Sequence, residues 1–271
     1  MCRHLGYLGP PRTLASLIYE GEYSLEHQSY APRMTQGNLL NADGFGAGWY
    51  HGHRGRAVRY RRAQPIWTDA SFREVAEVVE TGCAVAAIRS ATVGFPVDES
   101  CAQPFRAPAP SGGGRFFSHN GKIEGFSGVE AKLRELAGDL AAVPDARAPV
   151  DSALLFAIAA RRWHDGAPLG DTLAEVAGEA AALAPGRYNL LAADGTALAA
   201  TTWGDTLFVR ERRHTAWRVD QATGAPVKDR SRLREVWISS EPLDDDPGWT
   251  PVPERSLVTA DLAAGVRITP L

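Results

Sequence analysis

Apolar positions along this chain follow two periods, and the change from one to the other falls at Gly186. Over Ser71–Glu80, Phe72, Val75, Val78 and Val79 share one face of a helix, and Ser71 with Glu74 has the spacing of a capping box. Cys83–Ile88 (CAVAAI) is a short unbroken apolar run of the kind a buried strand carries, and Arg115–Ser118 reads the same way. Val129–Leu136, Val150–Trp163 and Thr172–Leu183 have helical spacing. The last opens on a second capping box, Thr172 with Glu175, and stops before Pro185-Gly186. Beyond Gly186 the spacing becomes that of strands. Tyr188–Ala193 and Thr196–Thr202 flank Asp194-Gly195, a strong hairpin turn pair. Leu207–Arg210, Ala216–Asp220, Glu235–Ser239 and Val266–Thr269 continue the series. Helices in the middle with strands toward both ends predict an α+β fold of two sheets covered by helices, as one domain over residues 1–271. Ala107–Gly114 (APAPSGGG) reads as a surface loop.

Composition narrows the function classes. A formal net charge of -3 gives no general reason to expect nucleic acid or an anionic membrane as partner. No apolar run approaches the roughly 20 residues needed to span a bilayer, and the first residues lack the apolar stretch of a signal peptide. Three cysteines, widely separated and without a CxxC spacing, argue against a disulfide framework or a cysteine zinc site. The expectation is a soluble cytoplasmic protein; oligomeric state is not legible.

Candidate chemistry starts at the second residue. Removal of Met1 would leave Cys2 carrying a thiol and a free α-amine, which titrates near ~7.7–8.0 and can serve as its general base. Taken alone, Cys2 is only a small residue at a processed terminus. Asn41–Trp49 packs three glycines and an aromatic into a short turn, where backbone can approach another group closely. Arg89 follows a buried strand in Ile88–Thr92, with salt-bridging as the plain alternative to substrate binding. Asn120-Gly121 follows another, with a hairpin turn as its plain alternative.

In this order Cys2, Asp43-Gly44-Phe45-Gly46, Arg89-Ser90-Ala91-Thr92, Gln103-Pro104-Phe105, His119-Asn120-Gly121 and Asp151-Ser152 resemble the class II glutamine amidotransferases of the N-terminal-nucleophile hydrolases. Ser29–Arg33, Ala200–Leu207 and Ser240–Trp249 look like a branch of that family that cleaves γ-glutamyl amides. The resemblance implies a four-layer αββα sandwich and hydrolysis of a γ-glutamyl small-molecule substrate without metal or organic cofactor. It implies roles too: Cys2 as nucleophile, Asn120 and Gly121 as oxyanion donors, Arg89 on the substrate carboxylate, Asp151 on its ammonium, and Thr92 in support of Arg89. One position departs: many glutamine-using members carry a histidine where this chain has Ala87. The rival readings are a free-standing glutaminase supplying ammonia to a synthase, and a degenerate member that only binds γ-glutamyl compounds.

The branch's substrates carry a trimethylammonium group, which aromatic faces can hold. Tyr30, Phe45, Trp49, Tyr50, Trp203 and Trp249 are the candidates. Several features have plainer explanations. His51 and His53 have no neighbours that complete a metal set. The basic run His51–Arg62 is spaced as a charged edge strand, Asp244-Asp245-Asp246 as a turn, and Cys83 and Cys101 as packing residues.

Overall fold

The computed structural model describes residues 2–34, 40–52, 55–108, 113–139, 143–219 and 226–271; for 214–219 and 226–233 the description is of backbone alone. Strand β1 (Arg3–Thr13) shows how the layers arise. Its odd residues Leu5 and Tyr7 join one apolar cluster and its even residue Leu8 joins another, because successive side chains of a strand point to opposite faces. Strands β2 (Phe45–His51), β3 (Arg56–Arg62), β4 (Glu80–Ile88), β9 (Phe208–Val219), β10 (Pro226–Ser239) and β11 (Thr250–Pro251) complete a sheet ordered β11-β9-β10-β1-β4-β2-β3. The second sheet holds β5 (Phe105–Pro108), β6 (Gly114–Ile123), β7 (Gly186–Ala193), β8 (Ala197–Thr202), β12 (Ser256–Asp261) and β13 (Gly265–Pro270), ordered β13-β12-β8-β7-β6-β5. Every recorded pairing in both sheets is antiparallel.

Leu8, Val85, Phe116, Leu191, Leu198, Val236, Ile238 and Val258 fill the space between the sheets. Helices α1 (Leu14–Ile18) and α2 (Ala70–Val78) cover the outer face of the first sheet, packing Leu14, Leu17, Phe72 and Ala76 against Leu5, Tyr7, Ala84 and Ile88. Helices α3 (Phe126–Ala137), α4 (Asp151–His164) and α5 (Leu169–Leu183) cover the second through Leu133, Phe156, Trp163 and Leu173 against Phe105, Phe117 and Leu190. Each fully buried large apolar side chain supplies about 1.5–3 kcal/mol. The result is the helix–sheet–sheet–helix sandwich expected.

Local readings held unevenly. Helix α2 is capped by Asp69, whose carboxylate accepts the Phe72 N–H at 2.9 Å, and not by Ser71 with Glu74. It ends at Val78, ahead of Glu80, because β4 begins there, and its buried face is Phe72 and Ala76, with Val78 78% exposed. In α5, Thr172 lies inside a helix that starts after Pro168. The hairpin at Asp194-Gly195 is as expected: the Asp194 carboxylate accepts the Thr196 and Ala197 N–H groups, and Gly195 has φ 97°. The stretches Leu207–Arg210 and Ala216–Asp220 belong to one strand, β9, save for Leu207, which precedes it, and Asp220, which lies outside the described residues.

Two readings need larger correction. The glycine-rich stretch after Asn41 is not mainly a turn: Phe45–His51 forms β2, between β3 and β4. Asn120-Gly121 does not close a hairpin either. Strand β6 runs through it, pairing Asn120 with Asn189 and Gly121 with Tyr188. Glycine is required at 121 because a Cβ there would collide with the Arg187 carbonyl and the His119 ring. Of the basic run, Arg56–Arg62 forms an edge strand, β3, whose Arg59 and Arg61 pair with Asp145 and Arg62 with Glu99, while His51 ends β2 and residues 53–54 lie outside the described residues. Of the presumed surface loop, Ala107 and Pro108 belong to β5, Gly114 opens β6, and residues 109–112 lie outside the described residues.

Candidate active site

Cys2 immediately precedes β1, and β1 lies between β10 and β4, so the thiol sits at one end of the first sheet amid the ends of both neighbours. Its Sγ is 3.9 Å from the Ser90 carbonyl, just past the end of β4. A small cleft opens beside it, lined by Cys2, Arg89, Ser90, Thr92, Phe95, Cys101, Gln103, Gly121, Val150, Asp151 and Ser152. Five of the six expected site residues therefore line one cleft. The sixth, Asn120, is fully buried behind it, with Nδ2 donating to Ser240 Oγ at 3.4 Å and Oδ1 buried without a partner.

The Arg89 backbone is pinned by the turn that precedes β2. Its N–H donates to the Gly44 carbonyl at 2.7 Å, and its carbonyl accepts the Asp43 N–H at 2.9 Å. The Asp43 carboxylate then accepts the Ala91 N–H at 2.7 Å. Arg89 is 5% exposed, and its guanidinium makes one long contact to the Asp43 carbonyl at 3.5 Å. A planar fork with spare donors at the wall of a cleft suits a carboxylate ligand. Thr92 does not support Arg89 through its side chain among the described residues; it lines the cleft, and its carbonyl accepts the Phe95 N–H at 3.0 Å.

Asp151 is the first residue of α4. Its Oδ2 accepts the Ile123 N–H at 2.9 Å and its Oδ1 the Ser152 N–H at 2.8 Å, which ties the helix start to the end of β6. A carboxylate oxygen can accept two bonds, so capacity remains toward the cleft. Beneath it, burial lowers the pKa of His119 and keeps its ring neutral. The Arg187 carbonyl, 2.8 Å from Nε2, can only accept, so that nitrogen carries the proton and Nδ1 accepts from the Ser152 hydroxyl at 2.8 Å.

Gln103 clamps the same strand. Its Oε1 accepts from Ser118 Oγ at 2.9 Å and from the His119 N–H at 2.6 Å, while its Nε2 donates to the His119 carbonyl at 3.2 Å. Ser240 joins the sheets: its Oγ accepts from the His4 N–H at 3.0 Å as well as from Asn120, and its N–H donates to the His4 carbonyl at 3.0 Å. Arg3, next to the nucleophile, bonds the Cys2 carbonyl at 3.0 Å and the fully buried Glu241 at 2.9 Å, and Glu241 also accepts the Arg33 N–H at 2.7 Å. Sequence reasoning quoted Gln103 and Ser240 within motifs without giving them this bracing function, and it missed the Arg3–Glu241 pair. Only the separation of 238 residues closed by the fold makes that pair.

The class-II glutamine amidotransferase sequence pattern matches residues 16–265 of the chain. The chain belongs to the class II glutamine amidotransferases. This family member is 41% identical over 272 residues to the γ-glutamyl-hercynylcysteine sulfoxide hydrolase of Mycolicibacterium smegmatis, covering 100% of both chains. It is 39% identical to the protein of the same name from Mycobacterium tuberculosis, covering 100% of this chain and 97% of the relative. Among solved structures, a class-II domain protein from Silicibacter pomeroyi superposes with TM-score 0.62 at 21% identity, over 99% of each chain, a likeness that speaks for the fold.

The remaining candidates resolve as follows. Phe45, Trp49, Tyr50 and Trp249 are buried core. Trp203 lies under the Arg255 guanidinium, 4.7 Å from the ring centre, and Tyr30 packs on Trp67 at the surface. The six aromatics form no common cage. Asp244, Asp245 and Asp246 pair respectively with Arg210, Arg33 and Arg212. His53 lies outside the described residues, and among the described residues no group of three His, Cys, Asp or Glu is placed to hold a metal ion. Burial raises the pKa of Cys83 and of Cys101, as packing thiols require. No described helix is long and apolar enough to cross a membrane.

Proposed function

We propose that this chain hydrolyses the γ-glutamyl amide of γ-glutamyl-hercynylcysteine sulfoxide, releasing glutamate and hercynylcysteine sulfoxide. The observation that carries the reading is full-length identity of 41% to a hydrolase of that name, joined to a cleft that brings Cys2, Arg89, Gly121 and Asp151 together. The substrate α-carboxylate meets the Arg89 fork and its ammonium meets Asp151. Removal of Met1 frees the Cys2 α-amine, which accepts the thiol proton as Sγ attacks the γ-carbonyl and later returns a proton to the leaving amine. The developing oxyanion takes hydrogen bonds from Asn120 Nδ2 and the Gly121 N–H, each worth roughly 2.7–4 kcal/mol in comparable sites. Water then hydrolyses the thioester. Ala87, a small buried residue paired with His4 and Gly46, stands where glutamine-using relatives have histidine, which favours this reading over a free-standing glutaminase.

Glutamate release from the conjugate and from glutamine, measured on one preparation beside Cys2→Ala, tests the proposal. The conjugate is expected to exceed glutamine in kcat/KM by at least ~100-fold, about 2.7 kcal/mol, with Cys2→Ala inactive and intact mass showing Cys2 first. Comparable values for the two substrates move the reading to the ammonia-supplying glutaminase, and full turnover with Met1 retained ends the N-terminal-nucleophile mechanism.

A further inference from the structure

The cleft accounts for the glutamyl half of a substrate and leaves the amine half without a site. A second, larger cavity of about 410 Å³ is lined by Met34, Arg187, Thr202, Asp205, Thr206 and Glu254 among others. Its place follows from the strand order. Cys2 precedes β1; the glutamyl cleft is at the β4 and β6 ends, while the second cavity draws on the start of β7, which pairs with the end of β6, and on the end of β8. Thr206 Oγ1 donates to the Ser240 carbonyl at 2.8 Å, and Ser240 Oγ accepts from Asn120 Nδ2, so these two residues connect the cavity to the oxyanion side of the site.

The cavity's chemistry is that of a binding site. Among its lining residues, Thr202 keeps a buried Oγ1 with no hydrogen-bond partner, and Arg187 and Asp205 form a half-buried ion pair. Thr202 is 2% exposed, and the Asp205 side chain 9%. Buried polar atoms are nearly always satisfied, so an unpartnered hydroxyl beside an imperfectly aligned ion pair at one cavity points to an occupant that supplies the missing bonds. Arg187 Nε and Asp205 Oδ2 are 3.2 Å apart yet complete no hydrogen bond with each other. Burial raises the Asp205 pKa against the pull of Arg187 and Arg3, as befits a carboxylate still short of a full counter-charge. Glu254 adds a second carboxylate, held over the cavity rim by the Gly204 N–H at 2.9 Å.

We propose that this cavity is the amine-side subsite and takes a zwitterionic leaving group, with Asp205 facing its cation, Arg187 its carboxylate, and Thr202 a further polar atom. The proposal rests on the function given above, since hercynylcysteine sulfoxide carries both a trimethylammonium and carboxylates. Selectivity for the cation is thereby assigned to buried charge in place of an aromatic cage.

Two measurements test it. Glutamate release from the conjugate and from γ-glutamylmethylamide, which has the same glutamyl half and no cation, is compared for wild type, Asp205→Asn and Thr202→Val. The subsite requires kcat/KM for the conjugate to fall at least ~10-fold further than for the methylamide in Asp205→Asn, with a smaller split of the same sign in Thr202→Val, a near-isosteric change that keeps the test alive if Asp205→Asn does not fold. Equal losses on the two substrates overturn the proposal. Calorimetric titration of hercynylcysteine sulfoxide alone into the Cys2→Ala protein is the second: binding weakened by Asp205→Asn supports the subsite, and no binding, or binding the variant leaves unchanged, overturns it and leaves the cavity to water. Wild type that cleaves the methylamide but not the conjugate would refute the proposed function, while the titration would still judge the cavity separately.

Discussion

His4 shows how a single buried residue couples the site to solution conditions. It is fully buried between the sheets, with Nδ1 3.3 Å from Ser118 Oγ and Nε2 without a partner. Burial, helped by His119 and Arg3, lowers its pKa from 6.5 to about 3. The unfolded chain thus binds a proton here between those values that the folded chain does not, so stability must fall as pH drops from about 6.5 toward 3. The expected outcome is a denaturation midpoint that declines from neutral pH to about pH 5, with a flatter decline in His4→Gln. An unchanged acid limb in that variant would show that other groups set it.

At the scale of elements, the site depends on where one helix meets one strand. Helix α4 begins at Asp151, after the extended Val150, and the Asp151 carboxylate accepts both the Ser152 N–H and the Ile123 N–H of β6. That junction fixes a carboxylate at the cleft wall beside Gly121. Asp151→Asn keeps one oxygen acceptor and loses the charge, so KM for the γ-glutamyl substrate should rise by roughly tenfold or more while kcat changes less. Steady-state kinetics with a melting curve on the same sample check this; a loss confined to kcat would remove Asp151 from substrate binding. Asn120 and Gly121 were legible as residue types, and their setting was not. Asn-Gly is a good local turn pair, but pairing with Asn189 and Tyr188 outweighs that preference and holds both residues in an extended strand.

At the scale of the whole molecule, function requires the two sheets to keep their relative position, since the cleft takes Cys2 and Arg89 from one and Gly121 from the other. Tyr50 is a tie between them. It stands on β2 of the first sheet, and its hydroxyl lies 2.8 Å from the Gly114 carbonyl and 2.7 Å from the Ala193 carbonyl, at the ends of β6 and β7 away from the site. Tyr50→Phe removes the donor in a buried setting and is expected to cost about 1–3 kcal/mol, measured by urea denaturation, with kcat/KM near wild type at low temperature. A loss within experimental error would mean that apolar packing alone sets the spacing.

The sequence by itself determined the α+β class, the helices α3 to α5 within a few residues, the hairpin at Asp194-Gly195, and the set of reactive residue types. These depend on periodicity and turn chemistry, which act between neighbours in the chain. Strands β1 and β2 escaped it because their glycines and prolines suppress local strand preference, and their partners lie far away: β1 pairs with β4 and with β10. Only the tertiary structure decided which residues share the cleft beside Cys2, that Glu241 braces Arg3 next to it, and that Thr202, Arg187 and Asp205 line one cavity. The physical reason is the same in each case. Burial and long-range pairing set the environment of a polar group, and no local pattern records which distant side chains will surround it.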